Sequence, residues 1–128
     1  DEPNHGTQYS RRLDEWRKTV ANFYGDFWPL TPYSLENNVW MGWQFDRPEV
    51  GEGVVQAFRR ADNGDESAML RLRELEPDAV YVLTNLDVPG TTEMTGRELL
   101  DVGLPVVIKE KPGAAIITYQ RRGPARER

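Results

Sequence analysis

Residues 39–60 read VWMGWQFDRPEVGEGVVQAFRR, and their period is two. Val39, Met41, Trp43 and Phe45 alternate with Trp40, Gly42, Gln44 and Asp46. Successive side chains of a strand point to opposite faces, so this alternation predicts a strand. Arg47-Pro48-Glu49 supplies a turn. Glu52 to Arg60 follows as a second strand, with Val54, Gln56 and Phe58 on one face and Val55, Ala57 and Arg59 on the other. The hairpin decides the class, because the rest of the chain keeps its rhythm. Asp62-Asn63-Gly64-Asp65 turns the chain, and Ser67 to Glu74 alternates again, with Ala68, Leu70 and Leu72 inward. Ala79 to Asn85 and Thr91 to Thr95 read as strands, and Gly96 to Gly103 as a brief helical or turn segment. Pro105 to Glu110 and Ala114 to Gln120 flank a Lys111-Pro112-Gly113 turn. Short strands separated by turn residues at this spacing, with no βαβ rhythm, predict a mainly β fold: an antiparallel Greek-key β-sandwich of seven or eight strands. Its expected core is Val54, Phe58, Leu70, Leu72, Val82, Val106, Ile108, Ile117 and Tyr119.

One amphipathic helix precedes the strands. From Tyr9 to Tyr24, Tyr9, Leu13, Trp16, Val20 and Phe23 recur at steps of four and three, which is one face of an α-helix. Gly25 suits its C-terminal end, and Pro29 and Pro32 forbid continuation. Residues 25–38, GDFWPLTPYSLENN, carry too many bulky side chains for a solvated linker and read as an extended strap packed on a neighbour. The organisation expected is a disordered N-terminus (1–7), helix and aromatic strap (8–38), sandwich (39–120) and a disordered tail (121–128). The apolar stripe of the helix calls for cover, either from its own sandwich or from a second copy in a weak homodimer.

Composition narrows the chemistry. The chain has 128 residues, 38% hydrophobic, enough for one domain with a real core. No apolar run is long enough to cross a membrane as a helix. A net charge of −5 argues against a nucleic-acid partner, which needs a basic face. The only basic excess is the tail, where residues 120–128 carry four Arg against one Glu. Absence of Cys excludes thiol chemistry and disulfides, and leaves the compartment open. The single histidine, His5, gives no support to a Ser-His-Asp or zinc centre. Gly51-Glu52-Gly53 precedes a strand rather than a helix, so it reads as a tight strand entry and not a phosphate loop. Asp62, Asp65 and Glu66 crowd a turn without the spacing of a calcium loop. Asp26, Asp46 and Asp87 stand alone beside aromatic or turn residues and read as hydrogen-bond acceptors. No catalytic, cofactor or metal residue is assigned. The aromatic residues bunch between residues 16 and 45, which favours packing. Trp28, Trp40 and Tyr33 are the candidate carbohydrate contacts, since aromatic faces stack on the C–H faces of sugars.

Five segments carry a family resemblance: YGDFWPLTPYS (24–34), WMGWQFDRPEVGEGVVQAFRR (40–60), LRLRELEPDAVYVLTNLD (70–87), TGRELLDVGL (95–104) and KPGAAIITYQ (111–120). Together they resemble the C-terminal part of α-galactosidase-like (melibiase-type) glycoside hydrolases of families 36 and 27, over about residues 8–121. The resemblance implies a parent enzyme in which a (β/α)₈ barrel supplies two catalytic Asp residues, a nucleophile and a general acid/base, for retaining hydrolysis. It implies that this chain holds the last barrel helix, the strap and the non-catalytic β-sandwich, with the barrel as its partner. No position here matches the catalytic motifs, so the chain itself is expected to be no enzyme. The alternative expectation is a carbohydrate-binding module.

Overall fold

A computed structural model describes residues 17, 19–31 and 39–122. Eight strands form it: β1 (Asp26–Pro29), β2 (Trp40–Arg47), β3 (Glu52–Arg59), β4 (Ser67–Leu70), β5 (Val80–Asn85), β6 (Thr92–Thr95), β7 (Leu104–Val107) and β8 (Gly113–Arg121). A six-stranded sheet runs in the order β1-β2-β3-β8-β5-β6, and β4 pairs with β7 in a second layer; every pairing is antiparallel. The mainly β, antiparallel expectation therefore holds.

Two helical pieces complete the fold. The first, α1, is described at residues 17 and 19–22. The second, α2 (Gly96–Asp101), starts with a capping box: the Glu98 amide donates to Thr95 Oγ1, and the Thr95 amide donates to Glu98 Oε1. Leu99 of α2 is fully buried and its carbonyl accepts from the Leu72 amide, which ties the second layer to the helix.

The core lies between the layers. From the large sheet it takes Val55, Ala57, Ala115, Ile117, Tyr119, Tyr81 and Leu83; from the other side, Leu70, Leu72, Leu75, Leu99, Leu104, Val106 and Ile108. Most of the expected core is in place, with two corrections. Phe58 and Val82 lie half-buried on the opposite face of the large sheet, while Val55 and Ala57 face the second layer. Val54 is fully buried on that opposite face. The reason is that both faces of the large sheet are covered. The described part of α1 lies on the outer one, where the Asn22 side-chain amide donates to the Gly53 carbonyl at 3.3 Å. Phe23 meets Phe45 edge-on, with ring centroids 5.1 Å apart. The residues α1 buries are Thr19 and Asn22, not the stripe residue Val20, which is half-buried; Leu13 and Trp16 lie outside the described residues.

Element boundaries also shift. The strap opens as β1, pairing Phe27 with Phe45 and Pro29 with Trp43; an edge strand tolerates proline because one side of its backbone needs no partner. The predicted strand 67–74 stops at Leu70, and Glu74 takes a left-handed φ of 64°. The tail is corrected at its start. Strand β8 runs to Arg121, whose amide donates to the Gly51 carbonyl, and the Arg122 amide donates to Val80, both at 2.7 Å. Arg121 and Arg122 also pair with Glu76 and Glu93. Two backbone bonds hold these residues where a count of apolar side chains finds nothing to hold. Residues 123–128 lie outside the described residues.

Candidate functional site

Strand β2 turns Gly42, Gln44 and Asp46 inward and leaves Met41, Trp43 and Phe45 half-buried outside. Two polar side chains thus enter the core, and the site is built around them. Gln44 reaches the segment after β4: its amide donates to the Arg73 carbonyl at 2.9 Å, and its Oε1 accepts from the Arg73 amide at 2.7 Å. The same side-chain amide donates to the Tyr119 hydroxyl at 2.8 Å, and that hydroxyl donates to Asp46 Oδ1 at 2.5 Å. Tyr81 stands edge-on to Tyr119 and accepts from the Glu76 amide at 3.0 Å. Gly53 makes room for this arrangement: a Cβ there would collide with the Tyr119 hydroxyl. Gly51, at φ 68°, turns the chain into β3 beneath Arg121. The Gly51-Glu52-Gly53 triplet is therefore a strand entry shaped around a tyrosine.

Asp46 is 2% exposed, and its Oδ2 has no partner among the described residues. Burial pushes its pKa up from 3.8 to about 6 against the Tyr119 hydrogen bond, which pulls it down; the carboxylates of Asp26, Glu74 and Glu49 push it further up. Burial also raises the pKa of Tyr119 and Tyr81, so both phenols stay protonated. The arrangement is a covered network. It can fix the 71–76 segment on the sheet and hold a proton on Asp46 up to a pH of about 6, and among the described residues Asp46 is covered from solvent. Among the described residues no group of three His, Cys, Asp or Glu side chains is disposed to hold a metal.

The candidate sugar contacts are not brought together. Trp28 is half-buried opposite Gln44, with the Arg73 guanidinium 4.8 Å from its ring centroid and its indole N–H buried without an acceptor among the described residues. Trp40 lies four residues along β2, ~13 Å away at the rise of a strand. It packs against the core and donates its indole N–H to the Asp65 carbonyl at 3.0 Å. Tyr33 lies outside the described residues. The acidic turn is solvated: Asp62, Asp65 and Glu66 are exposed, and the buried Asn63 organises it by accepting from the Asp65 amide at 2.7 Å.

The sequence marks Asp46 only as an isolated acceptor and Tyr119 only as a core residue, and it gives Gln44 and Arg73 no role. The one available signal is that two polar residues, Gln44 and Asp46, share a face of β2 with the small Gly42 in a strand otherwise apolar and aromatic up to Arg47.

The comparisons with known proteins agree with one another. No protein-family model matches the chain. A protein of Aspergillus terreus named "Probable alpha-galactosidase C" is 28% identical over 98 residues, covering 76% of this chain and 12% of that protein. A family 36 α-galactosidase of Geobacillus stearothermophilus superposes with a TM-score of 0.66 at 17% identity, covering 95% of this chain and 16% of that one. The α-galactosidase of Lactobacillus brevis superposes with a TM-score of 0.64 at 15% identity, over 95% of this chain and 17% of that one. The chain thus resembles a β domain found within α-galactosidases, and it spans only about an eighth to a sixth of the length of these relatives.

Proposed function

We propose that this chain is the non-catalytic C-terminal β-sandwich of a larger α-galactosidase-like glycoside hydrolase, and that it supports the (β/α)₈ catalytic domain. One observation carries the reading: nearly the whole chain superposes on a minor part of two α-galactosidases. The covered Asp46 network agrees with it, since the one strongly perturbed carboxylate among the described residues lies buried and hydrogen-bonded inside the fold. Catalysis by the parent is then a retaining hydrolysis carried out by carboxylates elsewhere in the longer protein. The test is an assay with 4-nitrophenyl α-galactoside. The isolated chain should release no nitrophenol, and deleting the corresponding segment from a full-length parent should lower its melting temperature and its activity together. Saturable turnover by the isolated chain would overturn the reading.

The competing reading is carbohydrate binding through Trp28, Trp40 and Tyr33. Arg73 already covers one face of Trp28, and the Trp40 indole is committed to Asp65. A saturable change in tryptophan fluorescence with neutral galacto-oligosaccharides, lost on Trp28→Ala or Trp40→Ala, would favour it over a purely structural role.

A further inference from the structure

Between the end of β1 and the segment 71–74 lies an open cleft of about 430 Å³. Leu30 and Leu100 give it apolar walls, and Arg71, Arg73 and Glu74 give it charge. Both arginines are exposed, and among the described residues neither guanidinium has a carboxylate within ion-pair distance. Arg47, Arg97, Arg121 and Arg122 all have one.

One of the two cations, Arg73, is also held in place. Gln44 clamps the Arg73 backbone through both its amide and its carbonyl, and the Arg73 guanidinium rests over Trp28, with none of its N–H donors taken by a described acceptor. Glu74 follows at φ 64°, a left-handed conformation unusual for a non-glycine residue; such strain persists only where the surroundings impose it. A guanidinium already positioned loses less side-chain freedom when it takes a ligand, and its planar fork matches a carboxylate. The Glu74 carboxylate on the same cleft disfavours a dianion such as phosphate.

We propose that this cleft binds a small organic monocarboxylate, the anion between Arg71 and Arg73 and the carbon skeleton against Leu30 and Leu100. The site does not depend on the proposed parent enzyme or on the stacking face of Trp40; it touches the Asp46 network only through Gln44, which holds the Arg73 backbone.

The test is a titration of the full 128-residue chain with sodium glucuronate, followed by ¹H–¹⁵N NMR of the arginine Nε–H and tryptophan indole resonances. Glucose, sodium phosphate and sodium chloride serve as controls. Saturable shifts at the Arg71, Arg73 and Trp28 signals with glucuronate, and none with glucose, are the expected result. Arg71→Gln and Arg73→Gln should each weaken binding about tenfold or more, as loss of a charge-assisted hydrogen bond does. Both side chains are exposed and the Gln44 clamp acts on backbone atoms, so an unchanged amide spectrum away from the cleft certifies that the variants are folded. Equal shifts with glucose, stronger binding of phosphate than of glucuronate, no saturation up to tens of millimolar, or undiminished affinity in both variants would each overturn the proposal.

Discussion

The inner layer buries one full charge at each end, and the two ends treat it differently. At the end where β3 finishes, Arg59 is 4% exposed. Its guanidinium donates to the Asn63 carbonyl twice (3.2 and 2.9 Å), to Ile108 at 2.8 Å and to Lys109 at 3.1 Å. One cation thus ties the turn after β3 to the segment after β7. At the other end Asp46 has one donor among the described residues, Tyr119, and carboxylates around it. A buried ion is tolerated when its hydrogen-bonding capacity is used and costly when it is not. Carbonyl groups, which every loop has in supply, serve a buried arginine well. A buried carboxylate needs donors, and the strand pairing of β2 has already used the nearby amides. The Arg59 end should therefore stabilise the fold at every ordinary pH, and the Asp46 end should do so only when it is protonated.

The sharpest way to break this contrast is Arg59→Met. It keeps bulk but leaves the Asn63 and Ile108 carbonyls without their donor, and it should cost about 3–4 kcal/mol in urea unfolding. A loss below about 1 kcal/mol would mean that water replaces the guanidinium without penalty. The next effect depends on pH. The Asp46 pKa is raised from 3.8 to about 6, so the folded chain binds a proton in that window that the unfolded chain releases. Its contribution is complete below 3.8 and fades as pH rises through 6. Acidification across the window should therefore add on the order of 2–3 kcal/mol from this group alone, the energy equivalent of the shift. Asp46→Asn should remove that increment, seen as a stability–pH curve flatter than that of the unsubstituted chain between pH 3.8 and 6; a curve parallel to it would show that Asp46 titrates normally.

Tyr119→Phe comes next. It takes away the donor that Asp46 has among the described residues and should cost about 2 kcal/mol at neutral pH. Because that hydrogen bond holds the Asp46 pKa down, its loss should also move the pH transition upward; a downward move would contradict the assignment. The smallest effect is at the end of β8. Removing everything after Gln120 deletes two backbone hydrogen bonds and two ion pairs, of which the Arg122–Glu93 pair is half exposed. The expected loss is about 1 kcal/mol, read as a melting temperature lowered by a few degrees. No change would return Arg121 and Arg122 to the status of an idle tail.

Much of the fold is legible because period-two patterning and turn residues are local signals. Val39 to Phe45, Asp62 to Asp65 and Lys111 to Gly113 each announce themselves within a few residues. The choice of face is not local. Val54 and Val55 are both fully buried, since layers cover both sides of β3, so hydrophobicity alone cannot tell the inter-sheet core from the face under α1. The inner face is chosen by size. Gly42 and Ala57 admit the second layer, and a Cβ on Gly42 would stand 3.0 Å from Leu70 Cδ1. The end of β4 is equally nonlocal, because a side chain 29 residues away, Gln44, takes over the hydrogen bonds of Arg73. Asp46, Tyr119 and Tyr81 meet only after β8 has inserted between β3 and β5, and no spacing in the sequence encodes that.

The order of the large sheet has a consequence for how molecules of this chain behave towards each other. Its longest strands, β2, β3 and β8, lie inside, and its two margins are β1 and β6, of four residues each. One margin carries Asp26 and Pro29, the other Glu93. A proline offers no amide to a neighbour, and a carboxylate at a margin repels its own copy. At the margins of the large sheet a crowded solution of these chains thus meets brief, charged or proline-blunted templates, while the long Val-, Ile- and Phe-bearing strands β3 and β8 that would seed a fibril are enclosed on both sides.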